Sequence, residues 1–137
     1  MDNIDCFNRV VTAILGDLYA NFPRPIHMDM GKLKALAKIP DQDWSKAGAR
    51  TKANLGQSTL QWLRKETFID YADESETLFA SVVLTSKGLT ALNKPPDSLT
   101  PKSTIGELMK ALSNATSSAA TTETIRGLVR LAFDQVA

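Results

Sequence analysis

Five polar side chains lie in one short stretch of the chain, and their residue types suit contacts with nucleic-acid bases and phosphates. They are Gln57, Ser58, Gln61, Arg64 and Lys65. A glutamine can form a pair of hydrogen bonds with adenine, an arginine can do so with guanine, and a serine can contact a base or a phosphate. In a helix with the neighbouring leucines turned inward, these side chains would lie on the outward side. The stretch therefore carries groups able to read base edges.

Three further basic side chains, Lys46, Arg50 and Lys52, come just before this stretch, where they would neutralise phosphates. From Ser45 to Lys65 there are five basic residues and no acidic one. The net charge of the whole chain is only +1, but residues 24–65 carry nine basic and three acidic side chains, a balance of +6. Positive charge is thus concentrated around the candidate residues.

The rest of the composition argues against catalysis. The chain has one cysteine, Cys6, and one histidine, His27, which excludes an internal disulfide, a cysteine-based zinc site and a centre with several histidine ligands. Acidic pairs such as Asp41 and Asp43 lack a partner histidine or a second carboxylate cluster. No phosphate-binding loop, nucleotide fingerprint or hydrolase elbow is present. We therefore predict no enzymatic activity, no metal and no cofactor.

Length and composition are typical of a small globular protein. The 137 residues are 43% hydrophobic and 23% charged, enough for one domain with a core. The N-terminus is acidic rather than basic, and no apolar run is long enough to cross a bilayer. These features predict a cytoplasmic protein without a membrane partner.

The first half of the chain predicts two helices with a short strand between them. Apolar residues recur at helical spacing over residues 4–21, and Pro23 ends that helix. Residues 25–28 can form a short edge strand, where proline is tolerated. Asp29 is a suitable N-cap for the second helix, which Pro40 ends.

The middle of the chain predicts a helix followed by a hairpin. A long connection over residues 41–52 has room for one helical turn and leads to helix three, which is predicted from about residue 51 or 52 to residue 66. Residues 68–72 and 78–84 have the alternation or composition of β-strands. Thr85 then caps a short helix that ends near Leu92.

The C-terminal third predicts two more helices. Residues 94–103 are rich in proline and read as a linker, and Thr104 with Glu107 fits a capping box that opens the next helix. A small, polar segment leads to the last helix, which is strongly apolar from residue 123 onward. This apolar face could pack back onto the first helix or face a second copy of the chain. We predict that it contributes to a homodimer, because spare apolar surface commonly marks an interface.

Two segments resemble the winged helix-turn-helix superfamily of bacterial transcription regulators. They are residues 59–69, TLQWLRKETFI, and residues 84–92, LTSKGLTAL. The family commonly has glycine where this chain has Thr67, at a helix exit that favours a positive φ. The resemblance covers residues 4–93 and implies a mainly α fold with a small antiparallel β-wing. Residues 94–103 would be the linker, and residues 104–137 a helical extension for dimerisation or packing.

The resemblance implies a regulator that binds double-stranded DNA as a homodimer, with helix three in the major groove. Gln57, Ser58 and Gln61 would read bases. Phosphates would be held by the basic residues Lys46, Arg50, Lys52, Arg64 and Lys65.

The wing gives a reason to consider a different function. Asp70, Asp73, Glu74 and Glu76 place four negative charges on it, and carboxylates near phosphates would weaken DNA binding. Winged helices also serve as protein-docking modules. The alternative prediction is therefore an interaction module, such as an adaptor, immunity or phage-type protein, that does not bind DNA.

Overall fold

The computed structural model describes residues 2–45, 53–95, 103–114 and 122–134. These residues are mainly helical and include a small antiparallel sheet, as predicted. The elements in chain order are α1 (Asn3–Asn21), β1 (Ile26–Asp29), α2 (Met30–Ala37), α3 (Asp41–Trp44), α4 (Leu55–Lys65), β2 (Ile69–Asp70), β3 (Asp73–Glu74), β4 (Leu78–Leu84), α5 (Ser86–Leu92), α6 (Ile105–Ser113) and α7 (Thr122–Phe133).

Strand β4 is the centre of the sheet. It pairs antiparallel with β1 on one side and with β2 on the other, and β3 also pairs with β4. The predicted strand over residues 78–84 matches β4, whereas the predicted strand over residues 68–72 is wrong in extent, because β2 ends at Asp70 and β3 begins at Asp73. We call β2, β3 and β4 the hairpin.

A β-bulge changes the register between β1 and β4. Ile26 pairs with Val82 and Met28 with Phe79, so β4 has one extra residue between the two pairs. Ser81 lies in this interval with a positive φ of 55°. Its backbone N–H donates to His27 Nδ1 at 3.1 Å. The single histidine therefore satisfies the amide that the bulge leaves unpaired.

The predicted N-caps are confirmed. The Asp29 carboxylate accepts from the Lys32 N–H at 2.9 Å, and the Thr85 hydroxyl accepts from the Gly88 N–H at 3.1 Å. Thr104 accepts from the Glu107 N–H at 3.1 Å and forms the predicted capping box. Each cap satisfies an amide that the first helical turn leaves without a partner.

The predicted helix three is α4, and it begins later than predicted. The helix begins at Leu55, with Asn54 as its N-cap, whereas a start at residue 51 or 52 was predicted. The helical turn predicted in the connection is α3, which ends at Trp44. Trp44 is buried, and a Cβ at Gly56 would overlap its ring. Trp44 therefore anchors the connection against the start of α4.

The end of α4 is held by contacts with the start of α5. Thr67 has a positive φ of 66°, at the position where the sequence suggested one. The Thr85 hydroxyl donates to the Thr67 carbonyl, and the Lys87 ammonium donates to the Glu66 carbonyl at 2.9 Å. A Cβ at Gly88 would overlap the Phe68 carbonyl oxygen. The start of α5 thus holds the end of α4 in place.

The C-terminal helices lie on one stripe of α1. The stripe consists of Asp5, Arg9, Thr12, Gly16 and Tyr19, which recur at three- and four-residue steps. A Cβ at Gly16 would lie 2.8 Å from the Lys110 backbone nitrogen, so the backbones of α1 and α6 are in close contact. The Ser113 hydroxyl donates to the Thr12 carbonyl at 3.3 Å. The stripe therefore faces α6 and α7 and not solvent.

An ion pair joins α1 to α7. Arg126 donates to both carboxylate oxygens of Asp5, from Nε at 2.6 Å and from Nη2 at 2.7 Å. This hydrogen bonding lowers the pKa of the Asp5 carboxyl against the opposing effect of its burial. Next to it, the Arg9 guanidinium donates to the Thr122 hydroxyl at 2.9 Å. Both contacts fix the start of α7 on the first half of α1.

The C-terminal apolar face is used inside the chain. The large buried side chains of α6 and α7 belong to the same core as α1, α4 and the sheet; they are Ile105, Met109, Ile125, Leu128 and Val129. The prediction that the last helix offers spare apolar surface is therefore wrong for its described residues. The homodimer itself stays a prediction, now without this support.

Candidate nucleic-acid interface

Helix α4 is amphipathic, and its inner side is fixed in the core. Thr59, Leu60 and Leu63 are buried, and the Thr59 hydroxyl donates to the Leu55 carbonyl at 2.8 Å. These contacts determine which side of α4 is turned outward. The predicted inward positions of Leu60 and Leu63 are confirmed.

Four of the five candidate residues on α4 are exposed. They are Ser58, Gln61, Arg64 and Lys65, and we call them the polar strip. Because they lie within eight residues of one helix, a partner that contacts α4 from outside would meet them together. The strip presents an amide, a hydroxyl and two cations, which is the chemistry that the sequence suggested.

Gln57 does not belong to the strip, and the prediction that it faces outward is wrong. Its side chain is only 8% exposed. Its Oε1 accepts from the Asn54 N–H at 3.0 Å, and its Nε2 donates to the Ser75 carbonyl at 3.3 Å. Gln57 therefore completes the capping box of α4 and ties this helix to the tip of the hairpin. A base contact would have to break both bonds.

Lys46, Arg50 and Lys52 lie outside the described residues. Their role as phosphate contacts stays a prediction. Of the basic candidates, Arg64 and Lys65 are the two whose surroundings the structure describes.

The hairpin lies against α4 and contacts two members of the polar strip. The Gln61 amide nitrogen donates to Glu74 Oε2 at 2.8 Å. Arg64 Nε lies 3.2 Å from Asp70 Oδ1, and its guanidinium carbon lies 4.4 Å from the centre of the Tyr71 ring. The acidic hairpin thus supplies partners to the strip rather than pointing away from it.

Tyr71 connects these two contacts. Its hydroxyl donates to Glu74 Oε1 at 3.4 Å, and burial raises the pKa of this hydroxyl. Its ring also packs edge-on against Phe79 in the core, with 4.9 Å between ring centres. The network from Gln61 through Glu74 and Tyr71 to Arg64 is therefore anchored in the fold.

Sequence reasoning did not identify these partners. It treated Asp70 and Glu74 only as charges that would repel phosphates. Arg64 and Asp70 carry opposite charges and lie six residues apart across the end of a helix. This spacing was a signal from which their ion pair could have been predicted. The contact between Gln61 and Glu74 could not be predicted from the sequence, because it depends on how the hairpin folds back on α4.

An aromatic cluster borders α4 on another side. Trp62 packs edge-on against Phe7 of α1, with 5.3 Å between ring centres, and lies 5.4 Å from the ring of Phe133 of α7. Phe133 in turn lies 4.9 Å from Phe68. Trp62 remains 37% exposed, so it is a half-buried edge of the core. The cluster places α4 against both ends of the chain.

Comparisons of the chain with models of protein families, with curated proteins and with solved structures found no match. Within residues 2–45, 53–95, 103–114 and 122–134, no three histidine, cysteine, aspartate or glutamate side chains are grouped so as to hold a metal ion. No helix among the described residues has both the length and the apolar character needed to cross a bilayer.

Proposed function

We propose that this protein is a winged helix-turn-helix protein that binds double-stranded DNA through α4. The observation that carries the proposal is the polar strip, which is exposed on the helix that directly precedes the hairpin. The order of helices and strands supports it, since α1, β1, α2, α4, β2 and β4 follow one another as in a winged helix. The resemblance of residues 59–69 and 84–92 to the winged helix-turn-helix superfamily supports the proposal as well.

In this proposal α4 enters the major groove, which is wide enough for a helix. Ser58 and Gln61 contact base edges, and Arg64 and Lys65 contact phosphates at the end of the helix. The hairpin lies beside the groove, where Arg64 partly neutralises the Asp70 carboxylate. The pair between Arg64 and Asp70 is exposed, and exposed ion pairs contribute only about 0–1 kcal/mol, so a DNA phosphate can compete for Arg64.

The proposal is stated for a single chain. The buried side chains of α6 and α7 complete the core of this chain. They are therefore not available to pack against a second subunit. A homodimer that places two α4 helices on half-sites about 34 Å apart would require a different contact surface.

Reversing one charge of the strip tests the proposal. We expect Lys65→Glu to weaken the binding of every duplex about equally and to reduce the salt slope by about one, because a lost phosphate contact has no sequence preference. The Lys65 side chain is exposed and forms no hydrogen bond or ion pair with the described residues, so the fold should be preserved. Fluorescence anisotropy with labelled duplexes measures the change.

Arg130→Glu on α7 is the matched control. It changes the net charge by the same amount from an exposed position outside the strip, and it should retain most of the affinity. Equal losses in both variants would mean that only the overall charge matters, and the assignment of α4 would be wrong.

The acidic hairpin favours a second candidate function, protein docking through the same face. Asp70 and Glu74 engage the strip, and Asp73 and Glu76 add exposed negative charge nearby, which suits a basic protein surface. This candidate predicts that the wild-type protein binds no duplex even at low salt, in which case Lys65→Glu has no DNA binding to alter.

A further inference from the structure

The contact between Gln61 and Glu74 restricts what Gln61 can offer to a partner. A glutamate carboxylate at neutral pH only accepts hydrogen bonds. The Gln61 side chain must therefore turn its nitrogen, and not its oxygen, towards Glu74, as the bond of 2.8 Å between Nε2 and Oε2 shows. One N–H of the amide is used by this bond. The second N–H and the carbonyl oxygen Oε1 remain for another molecule.

Glu74 is itself held in place. Its second carboxylate oxygen accepts from the Tyr71 hydroxyl at 3.4 Å, and its backbone pairs with Phe79 of β4. Both Tyr71 and Phe79 are buried. The carboxylate is therefore oriented by the core of the hairpin and can in turn orient the amide on α4.

The two free groups of Gln61 match one purine and not the other. In the major groove adenine presents an acceptor, N7, next to a donor, the N6 amino group, whereas guanine presents two acceptors, N7 and O6. One N–H and one carbonyl oxygen satisfy adenine fully. Against guanine, Oε1 of Gln61 would face O6, and two acceptors repel each other. An amide free of Glu74 could direct both of its N–H groups at guanine.

We propose that Glu74 is a positioning residue that fixes the Gln61 amide so that this protein distinguishes adenine from guanine at one position of its DNA site. The proposal rests on the DNA-binding function proposed above. Glu74 need not touch the DNA, because it acts through Gln61. It gives the acidic hairpin a role in sequence preference, at the cost of a negative charge close to phosphates.

Glu74→Gln is the decisive variant, and Glu76→Gln is its matched control. Both remove one negative charge from the tip of the hairpin. Only the first replaces the carboxylate that holds Gln61, since a glutamine at position 74 can either donate or accept and so no longer dictates how the Gln61 amide is turned. The Glu76 side chain forms no hydrogen bond or ion pair within the described part of the chain. Its backbone carbonyl accepts from Asn54, which the substitution leaves intact.

The experiment first selects bound duplexes from a random pool with the wild-type protein, and then identifies the position where Gln61→Ala loses preference. Anisotropy titrations then compare two duplexes that differ there by A·T against G·C. We expect the wild type to prefer adenine by about 5- to 150-fold, the range for a paired contact. In Glu74→Gln the ratio of affinities for the A·T and G·C duplexes should fall towards the ratio measured for Gln61→Ala. In Glu76→Gln this ratio should stay at the wild-type value. Both acid-to-amide variants should bind a random duplex more tightly than the wild type.

The outcomes separate the two proposals. If the wild type binds no duplex even at low salt, DNA binding fails and the role of Glu74 fails with it. If the wild type binds duplexes but enriches no sequence, DNA binding stands and the role of Glu74 is overturned. If the wild type selects a site but Gln61→Ala alters no position, or if Glu74→Gln keeps the adenine preference, DNA binding stands and the role of Glu74 is overturned. Equal narrowing in Glu74→Gln and Glu76→Gln would also overturn it, because charge alone would then explain the effect.

Discussion

A chain that ends at residue 95 is expected to lose cooperative unfolding altogether. It lacks α6 and α7, whose five large buried side chains belong to the common core. Burying a large apolar side chain contributes about 1.5–3 kcal/mol, and native domains are stable by only about 5–15 kcal/mol. Removing both helices would also expose the stripe of α1, with Asp5 and Arg9 deprived of their partners on α7. Circular dichroism during urea titration measures the loss.

Adding the missing part back provides the control. A separate peptide of residues 96–137 should restore helical signal and a sigmoidal transition to the shortened chain, because the two pieces together contain the whole core. A shortened chain that unfolds by itself in a transition as sharp as that of the full chain would contradict the account. It would show instead that residues 1–93 form an independent domain, as the linker suggested.

Gly16→Ala is expected to destabilise the protein by about 1–3 kcal/mol, the range for added volume in a packed core. The new Cβ would lie 2.8 Å from Lys110 N and 2.9 Å from Met109 C. These are backbone atoms, so α1 and α6 would have to move apart instead of a side chain turning away. The midpoint and slope of urea unfolding give the change in free energy.

Gly127→Ala is the matched control for this substitution. Gly127 also lies within a helix, but a Cβ there would meet no atom within 4 Å. Alanine is a better helix former than glycine by about 0.8–1 kcal/mol, so this variant should be more stable than the wild type. The two variants therefore shift the free energy of unfolding in opposite directions. A stabilising effect of Gly16→Ala would show that α1 and α6 are less closely packed than described.

Local signals in the sequence predicted most of the elements. Proline, capping residues and β-formers act within a few positions of themselves, which is why the caps at Asp29, Thr85 and Thr104 and the extent of β4 were confirmed. The predicted start of α4 was wrong by a few residues, because the capping box of Asn54 and Gln57 makes Leu55 the first helical residue. Because the Gln57 side chain takes part in this capping box, it is buried and is not exposed in the predicted interface.

Contacts between residues far apart in the sequence could not be predicted from local sequence patterns. Helical spacing placed Ile4 on the inner face of α1, yet it is 59% exposed, whereas Arg9 and Asp5 are buried. Helix α1 is covered on several sides, so its polar positions meet the C-terminal helices instead of water. The hairpin carboxylates were considered only as charges that repel phosphates, for a related reason. Their partners Gln61 and Arg64 come within contact distance only when the hairpin folds back on α4.

The measurement that tests DNA binding by α4 most directly is the salt dependence of duplex binding by the wild-type protein. Anisotropy titrations at several salt concentrations give the slope of log Kobs against log salt, which is about −0.9 for each phosphate neutralised. If Arg64, Lys65 and the three basic residues before α4 all contact phosphates, the slope should be about −4 to −5. No binding at low salt, or a slope near zero, would contradict the account and direct attention to a basic protein partner.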